Sequence, residues 1–386
     1  MKGRNFRIIL AITAALAVGR AFTTPPTPDD KRIAWKSFSD SLRKWYQAPV
    51  DKWPRPVTDS SVQWVELGPL PESVIAGDSS LRPMVELGKF LFFDPRLSGS
   101  NQISCATCHE PELGWTNGRT TGIGHDHVAG SRNVPSLFNI GHLRDFFWDG
   151  RSPSLEQQAV APISNDVEMH ELPGQLEEEL AAIPLYRKKF KEVFSTEQIH
   201  LDQITKAIAT FEKSITSRKA PFDLFLEGKF KTMSDEQVYG LHIFRTKAGC
   251  MNCHNGPLFT DQQFHNIGLS YYGRKFEDFG RYAVTKRKED VGKFRTPSLR
   301  DVMLTRPWMH NGLFDDIDGI INLYNAGGAR PKPRNEQLKD SLFPTTSVLL
   351  KPLGLSAEEK KALAAFLQAI SSNTSWRMPR PVYGNE

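Results

Sequence analysis

Cysteine is scarce in this chain, with four residues in 386, and the spacing of those four restricts their role. A zinc ribbon usually places its two Cys-x-x-Cys pairs roughly 15 to 20 residues apart. In this chain the first pair ends at Cys108 and the second begins at Cys250, which is a much longer interval. A redox-active dithiol would need a strand–helix–strand context, which the flanking sequence does not provide. Neither site, nor a structural disulfide framework, explains why a histidine directly follows each pair.

Long apolar runs are also missing. The run from Ile8 to Val18 is shorter than the roughly 20 apolar residues that span a bilayer. Lys2, Arg4 and Arg7 precede it, and small residues around Arg20 follow it. This order predicts a secretory signal at residues 1–21. An uncleaved anchor is the alternative, and we expect membrane association only in that case.

A strong charge excess is absent outside that segment. The formal net charge of the chain is +5, and the predicted signal holds four basic residues and no acidic one. The basic character therefore belongs mostly to the signal. Because no basic surface remains in the composition, we expect no nucleic-acid partner.

Both cysteine pairs belong to the pattern Cys-x-x-Cys-His, at 105–109 and at 250–254. Two thiols three residues apart on a helical turn reach the two vinyl groups of a haem, and the adjoining imidazole can meet the iron. Such haem is attached outside the bacterial inner membrane, so we expect a periplasmic protein. The sequence predicts two covalently bound haem c groups, held by Cys105, Cys108 and His109 and by Cys250, Cys253 and His254.

Helical patterns lead into both motifs. Met84, Leu87 and Phe90 recur at helical spacing before the first, and Ser234-x-x-Gln237 is a capping box that opens a helix toward the second. We therefore expect an all-α fold, mainly helical with long irregular loops, made of two cytochrome c-like domains with one covalent haem c each. The expected order is signal 1–21, N-terminal arm 22–80, first domain 81–215, linker 216–233 and second domain 234–386.

Other helices are predicted to support these domains. In the arm, only the stretch from Trp35 to Trp45 shows helical spacing. An apolar stripe that includes Ile208 and Phe211 should brace the first domain. A C-terminal helix that starts at the Ser356-x-x-Glu359 cap should pack across the helix preceding the second haem motif.

Several short motifs occur in one order around the haem runs, at 86–89, 93–98, 132–136, 147–151, 167–169 and 294–300. Together they resemble the dihaem bacterial cytochrome c peroxidases and their MauG-type relatives, over residues 83–372. The resemblance implies that the C-terminal haem takes electrons from a small donor and that the N-terminal haem meets peroxide. His109 and His254 match the proximal ligands, and Trp148 matches the tryptophan between the haems that supports electron passage.

The resemblance also implies a distal pocket. Glu168 matches the carboxylate that moves protons during O–O cleavage, and Gln158 and Pro162 match other positions of that pocket. On residue type alone Glu168 would be a solvated glutamate at a helix end. Cleavage requires a proton to move from the near to the far peroxide oxygen, and a positioned carboxylate can carry it.

One position concerns the sixth ligand of the first haem iron. His125 matches the removable sixth ligand of the peroxidatic haem in conventional dihaem peroxidases. Its neighbour His127 leaves the register of this match open, and a lone histidine in a loop is by default a surface side chain.

A second position bears on the subtype. Tyr324 continues an apolar helix face formed by Ile317, Ile320 and Ile321, so packing alone would explain it. Conventional peroxidases have a methionine ligand at the matching place and MauG-type proteins a tyrosine; Met309 is the alternative ligand in this chain. A phenolate favours the higher oxidation states of iron, whereas a thioether raises the potential.

A calcium site is implied as well. Asn133, with the backbone carbonyls of Thr305 and Pro307, matches the family's site between the domains. An amide oxygen, carbonyls and water are hard donors that suit Ca²⁺, so we expect one such ion.

These observations favour a periplasmic peroxidase that reduces hydrogen peroxide with electrons from a small cytochrome or cupredoxin, passed from haem 2 to haem 1. The alternative is a MauG-like oxidase that uses peroxide or O₂ to modify residues of a partner protein. A plain electron-carrier cytochrome is a third hypothesis, but a carrier would have no use for the distal set Gln158, Pro162 and Glu168.

Overall fold

The computed structural model describes residues 28–372 and 377–383. This part of the chain is mainly helical and contains one two-stranded sheet, so the expected fold class is confirmed at that level. The predicted signal at 1–21 lies outside the described residues. Within them, no helix combines the length and the apolar character that crossing a membrane would require.

The helices vary from a single turn to five turns, and the longest is the first. In chain order they are α1 (Pro28–Tyr46), α2 (Arg82–Phe93), α3 (Cys105–Cys108), α4 (Leu155–Ser164), α5 (Pro173–Ala182), α6 (Pro184–Phe194), α7 (Leu201–Lys213), α8 (Pro221–Leu226), α9 (Asp235–Arg245), α10 (Tyr282–Thr285), α11 (Ile317–Asn325) and α12 (Ala357–Ala369).

Helices α2 and α7 cross at close range in the first half of the chain. A Cβ atom on Gly88 would lie 1.9 Å from the carbonyl oxygen of Ala207 and 2.8 Å from the Cβ of Phe211. Only glycine permits this approach of two helix backbones. Helix α2 ends at Phe93, directly before Asp94 and Pro95, because proline removes a donor and restricts the preceding residue. The predicted bracing of the first domain by the 201–213 helix is thus confirmed.

Helices α9 and α12 repeat that crossing in the second half. A Cβ atom on Gly240 would lie 1.9 Å from the carbonyl oxygen of Ala362 and 2.8 Å from the Cβ of Phe366. Both helices begin at the predicted capping boxes, where the side chains of Ser234 and Ser356 accept hydrogen bonds from the backbone N–H three residues on. The prediction that the C-terminal helix packs across the helix before the second haem motif is confirmed.

Two hydrophobic cores correspond to these two crossings. The first is drawn from residues 87–215 and includes Phe92, Trp115 and Phe211. The second gathers residues from three parts of the chain: the arm, the stretch predicted as a linker, and the second half. Its largest buried side chains are Tyr46, Phe222, Phe225, Phe244, Phe259 and Phe366.

The arm and the predicted linker are therefore structural parts of the second core. The predicted arm helix is present as α1, and Trp35 and Phe38 each contact the ring of Tyr239 edge-on, at 5.4 and 5.5 Å between centroids. Within 216–233, helix α8 buries Phe222 and Phe225. We did not expect a helix there, because its burial depends on residues far away in the sequence.

A short sheet joins the ends of a long excursion in the second half. Strand β1 (Phe264–His265) pairs antiparallel with β2 (Phe294–Arg295). The stretch 266–293 between them, which we name the excursion, contains the one-turn helix α10 and otherwise irregular chain. The pairing of these two strands brings the two ends of the excursion together.

Candidate active site with two haem-attachment motifs

The first motif is shaped to present one ring nitrogen of His109. Helix α3 carries both cysteines, and the backbone N–H of His109 donates to the carbonyl of Cys105 at 2.9 Å. The Nδ1–H of His109 donates to the carbonyl of Trp115 at 3.0 Å, which leaves the lone pair on Nε2. Burial lowers the pKa of His109 to about 4, so the ring is neutral, as a metal ligand must be.

The second motif has the same local geometry. Residues Cys250–Asn252 form a 3₁₀ turn, and the backbone N–H of His254 donates to the carbonyl of Cys250 at 2.8 Å. The Nδ1–H of His254 donates to the carbonyl of Phe259 at 2.9 Å, and burial lowers the pKa of His254. Each histidine is therefore held in the tautomer that offers Nε2 to an iron.

The cysteines do not assemble into one metal site. No disulfide joins the four cysteines, and Cys105 and Cys250 belong to different hydrophobic cores. Among the described residues, the compact cluster of ligand-type side chains that includes a cysteine is Cys253, Asp261 and His265, which contains none of the first motif. The zinc Cys₄ alternative is excluded by this separation.

Arg295 provides an independent sign that the fold is built for an anionic group. Its side chain is buried, and in the described part of the chain Nη1 has no hydrogen-bond partner. Burial lowers its pKa to about 10, with Asp145 offsetting this only in part. A buried guanidinium without a bonded carboxylate needs an anion, and a haem propionate would supply one. The residues present therefore fit haem c.

A candidate distal pocket lies beside the first motif. One loop joins Glu168 to this motif: a Cβ atom on Gly122 would lie 3.4 Å from the sulfur of Cys108, and one on Gly124 would lie 2.7 Å from Cα of Glu168. Glu168 Oε1 accepts a hydrogen bond from Asn165 Nδ2 at 2.8 Å. Burial raises the pKa of Glu168, and the Arg151 guanidinium and the Asn165 amide oppose that rise. A carboxyl in this environment keeps its proton to a higher pH than an exposed glutamate does.

Helix α4 supplies the other predicted residues of this pocket. Gln158 and Pro162 are four residues apart and therefore share one face of the helix. The backbone N–H of Met169 donates to the carbonyl of Pro162 at 3.2 Å, which joins the end of α4 to the turn that carries Glu168. The structure thus brings Gln158, Pro162 and Glu168 to one region.

The loop of His125 packs on the same turn. The backbone N–H of His125 donates to the carbonyl of Glu168, and its ring stacks on that of His170 with 4.5 Å between centroids. In the described residues, the buried Nδ1 of His125 has no hydrogen-bond partner. A Cβ atom on Gly122 would lie 3.4 Å from the sulfur of Cys108, so this loop also reaches the first motif.

Trp148 lies at a row of rings between the two halves. Its indole Nε1–H donates to the carbonyl of Asn133 at 2.9 Å, and its own carbonyl accepts from the N–H of Arg295 at 2.8 Å. The ring of His310 meets Trp148 edge-on at 6.4 Å and stacks on Phe294 at 3.6 Å. The row Trp148, His310 and Phe294 therefore links the first half to strand β2.

The sequence did not single out His310 or Arg295. Burial lowers the pKa of His310 to about 4, and its buried Nε2 has no hydrogen-bond partner in the described part. Arg295 lies inside the matched motif at 294–300, so the motif carried a signal for it. No local pattern marked His310, because its role comes from stacking against residues elsewhere in the chain.

A buried cation fixes the junction near this row. Arg132 donates from Nη1 to Asp149 at 2.6 Å, and from Nε and Nη2 to Asp278 at 2.7 and 2.8 Å. Asp149 belongs to the first half and Asp278 to the excursion. The pKa of Arg132 is raised by both carboxylates, and that of Asp278 is lowered by Arg132. The ionised pairs hold the excursion against the segment that carries Trp148.

Tyr324 lies at the second motif. It is near the end of α11, and burial raises the pKa of its phenol, with Cys253 and Cys250 adding to the rise. Both sulfurs of the motif are therefore close to it. Met309 lies on a different loop, at a positive φ of 69°. A Cβ atom on Gly312, in the same loop, would meet the backbone of Thr120 in the first half.

The residues of the predicted calcium site lie on neighbouring loops. The backbone N–H of Asn133 donates to the carbonyl of His310 at 2.8 Å, and its side-chain amide donates to a carbonyl of the first half. A Cβ atom on Gly114 would lie 3.2 Å from Cγ2 of Thr305, two residues before Pro307. Asn133 and the segment that holds Thr305 and Pro307 thus meet at the junction of the two halves.

The fold and its paired attachment motifs define a c-type cytochrome. The profile of the "Di-haem cytochrome c peroxidase" family matches residues 82–231. The chain is 34% identical over 335 residues to cytochrome-c peroxidase IdrP1 of Pseudomonas sp. strain SCT, covering 79% of this chain and 85% of that protein. The chain belongs to the dihaem cytochrome c peroxidase and MauG family, a group of oxidoreductases.

Two further similar proteins represent the MauG branch of this family. Methylamine utilization protein MauG of Methylorubrum extorquens is 37% identical over 291 residues, covering 75% of this chain and 78% of that protein. The crystal structure of a MauG-like protein associated with microbial copper homeostasis matches with a TM-score of 0.68 and 27% identity, covering 84% of this chain and 98% of that one. Both branches of the family are therefore represented among its relatives.

Proposed function

We propose that this protein is a dihaem peroxidase that reduces hydrogen peroxide to water, with one covalent haem c at each motif. The observation that carries the proposal is the half-buried carboxyl of Glu168 near the first haem-attachment motif, whose His109 has Nε2 available for iron. A protein that only carried electrons would gain nothing from a half-buried acid at this place.

The reaction consumes two electrons and two protons for each peroxide and yields two waters. Haem would supply the electrons and an iron that polarises the peroxide. Glu168 accepts the proton from one peroxide oxygen and returns it to the other, which then leaves as water. The hydrogen bond from Asn165 orients the carboxyl, and burial keeps its proton affinity high enough to return that proton. Gln158 and Pro162 are assigned to the same pocket, on the helix that packs against the turn of Glu168.

Electrons bound for a haem at the first motif would cross the junction of the two halves. The row of Trp148, His310 and Phe294 provides closely spaced rings there, and the Arg132 ion pairs hold it rigid. We assign Trp148 to electron passage, with His109 and His254 as the proximal ligands. His125 is the candidate removable ligand of the first haem, supported by its position on the loop that reaches Cys108.

The remaining assignments follow from the family. A small cytochrome or cupredoxin is the proposed donor, and the periplasm is the proposed location. Asn133 with the carbonyls of Thr305 and Pro307 is the proposed calcium site, supported by the meeting of these loops at the junction. The domain limits 81–215 and 234–386 stay as proposed, with the arm and the 216–233 stretch packed on the second core.

A second candidate function is a MauG-like oxidase that modifies a partner protein. The proximity of Tyr324 to both cysteines of the second motif supports it, because a phenolate ligand favours oxidised iron. A haem with such a ligand accepts electrons less readily and is suited to sharing oxidising equivalents with the other haem.

Peroxide turnover by the exported holoprotein, with reduced cytochrome c as donor, tests the proposal. A peroxidase gives brisk oxidation of the cytochrome that depends on peroxide. Negligible turnover with a persistent oxidised spectrum after peroxide would reject the peroxidase in favour of the oxidase. Mass spectrometry of the same sample should show two haem groups, and Cys253→Ala should weaken attachment at the second motif alone.

A further inference from the structure

We infer that the outer side of the excursion, residues 266–293, docks the acidic face of a small redox protein. This inference rests on the proposed function, because it specifies the chemistry of the partner that the function requires. The surface is defined by five exposed cations, which we name the basic surface: Arg274, Lys275, Lys286, Arg287 and Lys288.

The acids of the excursion leave this surface positive. Asp278 is bound by Arg132, and the buried Asp290 is bound by Arg287, Lys293 and Thr285. Two other acids, at 277 and 289, are exposed beside the basic surface. Arg287 is thereby paired, and the other four exposed cations face solvent with two exposed carboxylates among them, in a chain whose charge is otherwise close to balanced.

Two of the cations lie over aromatic rings of the excursion, close to exposed apolar side chains. Phe276 is 50% exposed and Val284 is 41% exposed, both on the excursion. The ammonium of Lys275 lies 5.0 Å from the ring centre of Phe276, and that of Lys286 lies 5.8 Å from that of Tyr282. Apolar side chains within a charged rim are the usual composition of a protein-docking surface.

A cavity of about 420 Å³ adjoins this surface and is also cationic. Arg144, Arg281, Arg287 and Lys293 line it together with two acids, Asp145 and Asp290, of which Asp290 is already bound. The cavity is wide enough to receive an acidic side chain of a partner. Arg287 belongs both to the cavity and to the basic surface, so the two are continuous.

This cavity leads toward both redox-relevant parts of the site. Arg281 donates to the carbonyls of Asp149 and Gly150 at 3.0 and 3.1 Å, directly after Trp148. A neighbouring cavity of about 640 Å³ shares Arg144 and two glutamines with it and reaches Asn252 of the second haem motif. A protein docked here would lie beside the second haem motif and the ring row.

A protein with an acidic face fits better than a nucleic acid or a small anion. The cations occur with exposed apolar groups and two exposed carboxylates, whereas nucleic-acid binding is marked by a dense basic patch or stripe. Long-range attraction between opposite charges speeds encounter and fixes orientation, which suits a brief electron-transfer complex.

Charge reversal at three exposed lysines tests the inference. The holoprotein carrying Lys275→Glu, Lys286→Glu and Lys288→Glu would be assayed with peroxide and an acidic bacterial c-type cytochrome. At low salt we expect KM for that cytochrome to rise by about tenfold or more, with little change at high salt, because screening removes the attraction. A matched triple, Lys188→Glu, Lys206→Glu and Lys231→Glu, changes the same net charge elsewhere and should leave KM unaltered.

Two measurements separate this inference from the proposed function. Turnover with peroxide and a small neutral hydroquinone should be equal in wild type and both triples, since no docking is involved. If wild type shows no turnover with peroxide and the hydroquinone, the peroxidase function is rejected. Surface plasmon resonance with the oxidised acidic cytochrome would still test docking in that case. Equal effects of the two triples on cytochrome binding, a preference for a basic cytochrome, or tighter binding of duplex DNA than of the acidic cytochrome would overturn the inference.

Discussion

The backbone N–H of His125 donates to the carbonyl oxygen of Glu168 at 2.8 Å. This bond joins the loop of the candidate removable ligand to the turn of the candidate proton carrier. The contact is close, because a Cβ atom on Gly124 would lie 2.2 Å from the carbonyl oxygen of Val167 and 2.7 Å from that of Glu168. If His125 moves away from the first motif, the position of Glu168 should therefore change as well.

Gly124→Ala should separate these two segments. The added methyl overlaps backbone atoms that cannot rotate away, so the loop must move, at a cost of about 1–3 kcal/mol in the free energy of unfolding. We expect an altered ligand-field spectrum of the first haem together with lower peroxide turnover. Gly130→Ala is the matched control in the same loop, since its nearest neighbour would be 3.6 Å away. Identical spectra for both variants would show that the two segments are not coupled.

Glu168→Gln should retain both haems and their spectra but lose peroxide turnover by about 10²-fold or more, the usual scale for a general acid–base group. Burial raises the pKa of Glu168, so the carboxylate forms, and kcat/KM increases, at a higher pH than for an exposed glutamate. The glutamine variant should lack this increase of kcat/KM with pH. The exposed Glu178→Gln should keep both rate and profile, and unchanged turnover in Glu168→Gln would remove Glu168 from the mechanism.

Local patterns predicted those elements whose stability is local. The capping boxes at Ser234 and Ser356 fix the starts of two helices by hydrogen bonds within a few residues, and the proline after Asp94 ends a helix because it lacks the N–H donor. These signals can therefore be recognised in the sequence. Helices α5 and α6 were not predicted. Each opens with a proline at its first residue, Pro173 or Pro184, which is a helix-start signal that our prediction missed.

Features that depend on distant partners could not be predicted in this way. The burial of Phe222 in the second core and the stacking of His310 on Phe294 involve residues from separate parts of the chain. The resemblance to a known family supplied Glu168 and Tyr324 through matched motifs. It gave no sign that the arm packs on the second core or that Arg295 is buried beside Trp148.

Glu212 gives a stability prediction that is independent of the reaction. Its carboxyl is buried in α7 near Cys105, and burial, with the charge of Glu156 adding and Lys213 opposing, raises its pKa to about 8. The folded state therefore holds a proton that the unfolded state has released. Stability should fall as pH rises from about 4.5 to about 8, by at most about 1.4 kcal/mol per unit.

Glu212→Gln removes that titration, so its urea midpoint should depend less on pH than that of wild type, and its relative stability should be greater at pH 8 than at pH 5. Urea unfolding of the holoprotein at these pH values is the measurement. The exposed Glu178→Gln is the control and should follow wild type. A variant whose midpoint changes with pH as steeply as wild type would show that Glu212 is ionised when folded.

Tyr324→Met addresses the choice between the two branches of the family. If the phenolate binds the second iron, replacing an anionic oxygen by a neutral sulfur should raise the reduction potential of that haem, because the oxygen donor stabilises the ferric state. A change in the ligand-field bands should accompany it, and turnover with a reduced cytochrome should increase as the haem becomes a better acceptor. Potentiometric titration with optical detection measures both. Met309→Leu serves as the control and should leave the potential unchanged. If Tyr324→Met alters neither potential nor bands while Met309→Leu alters both, then Tyr324 is a packing residue, Met309 is the ligand, and the oxidase alternative loses its support.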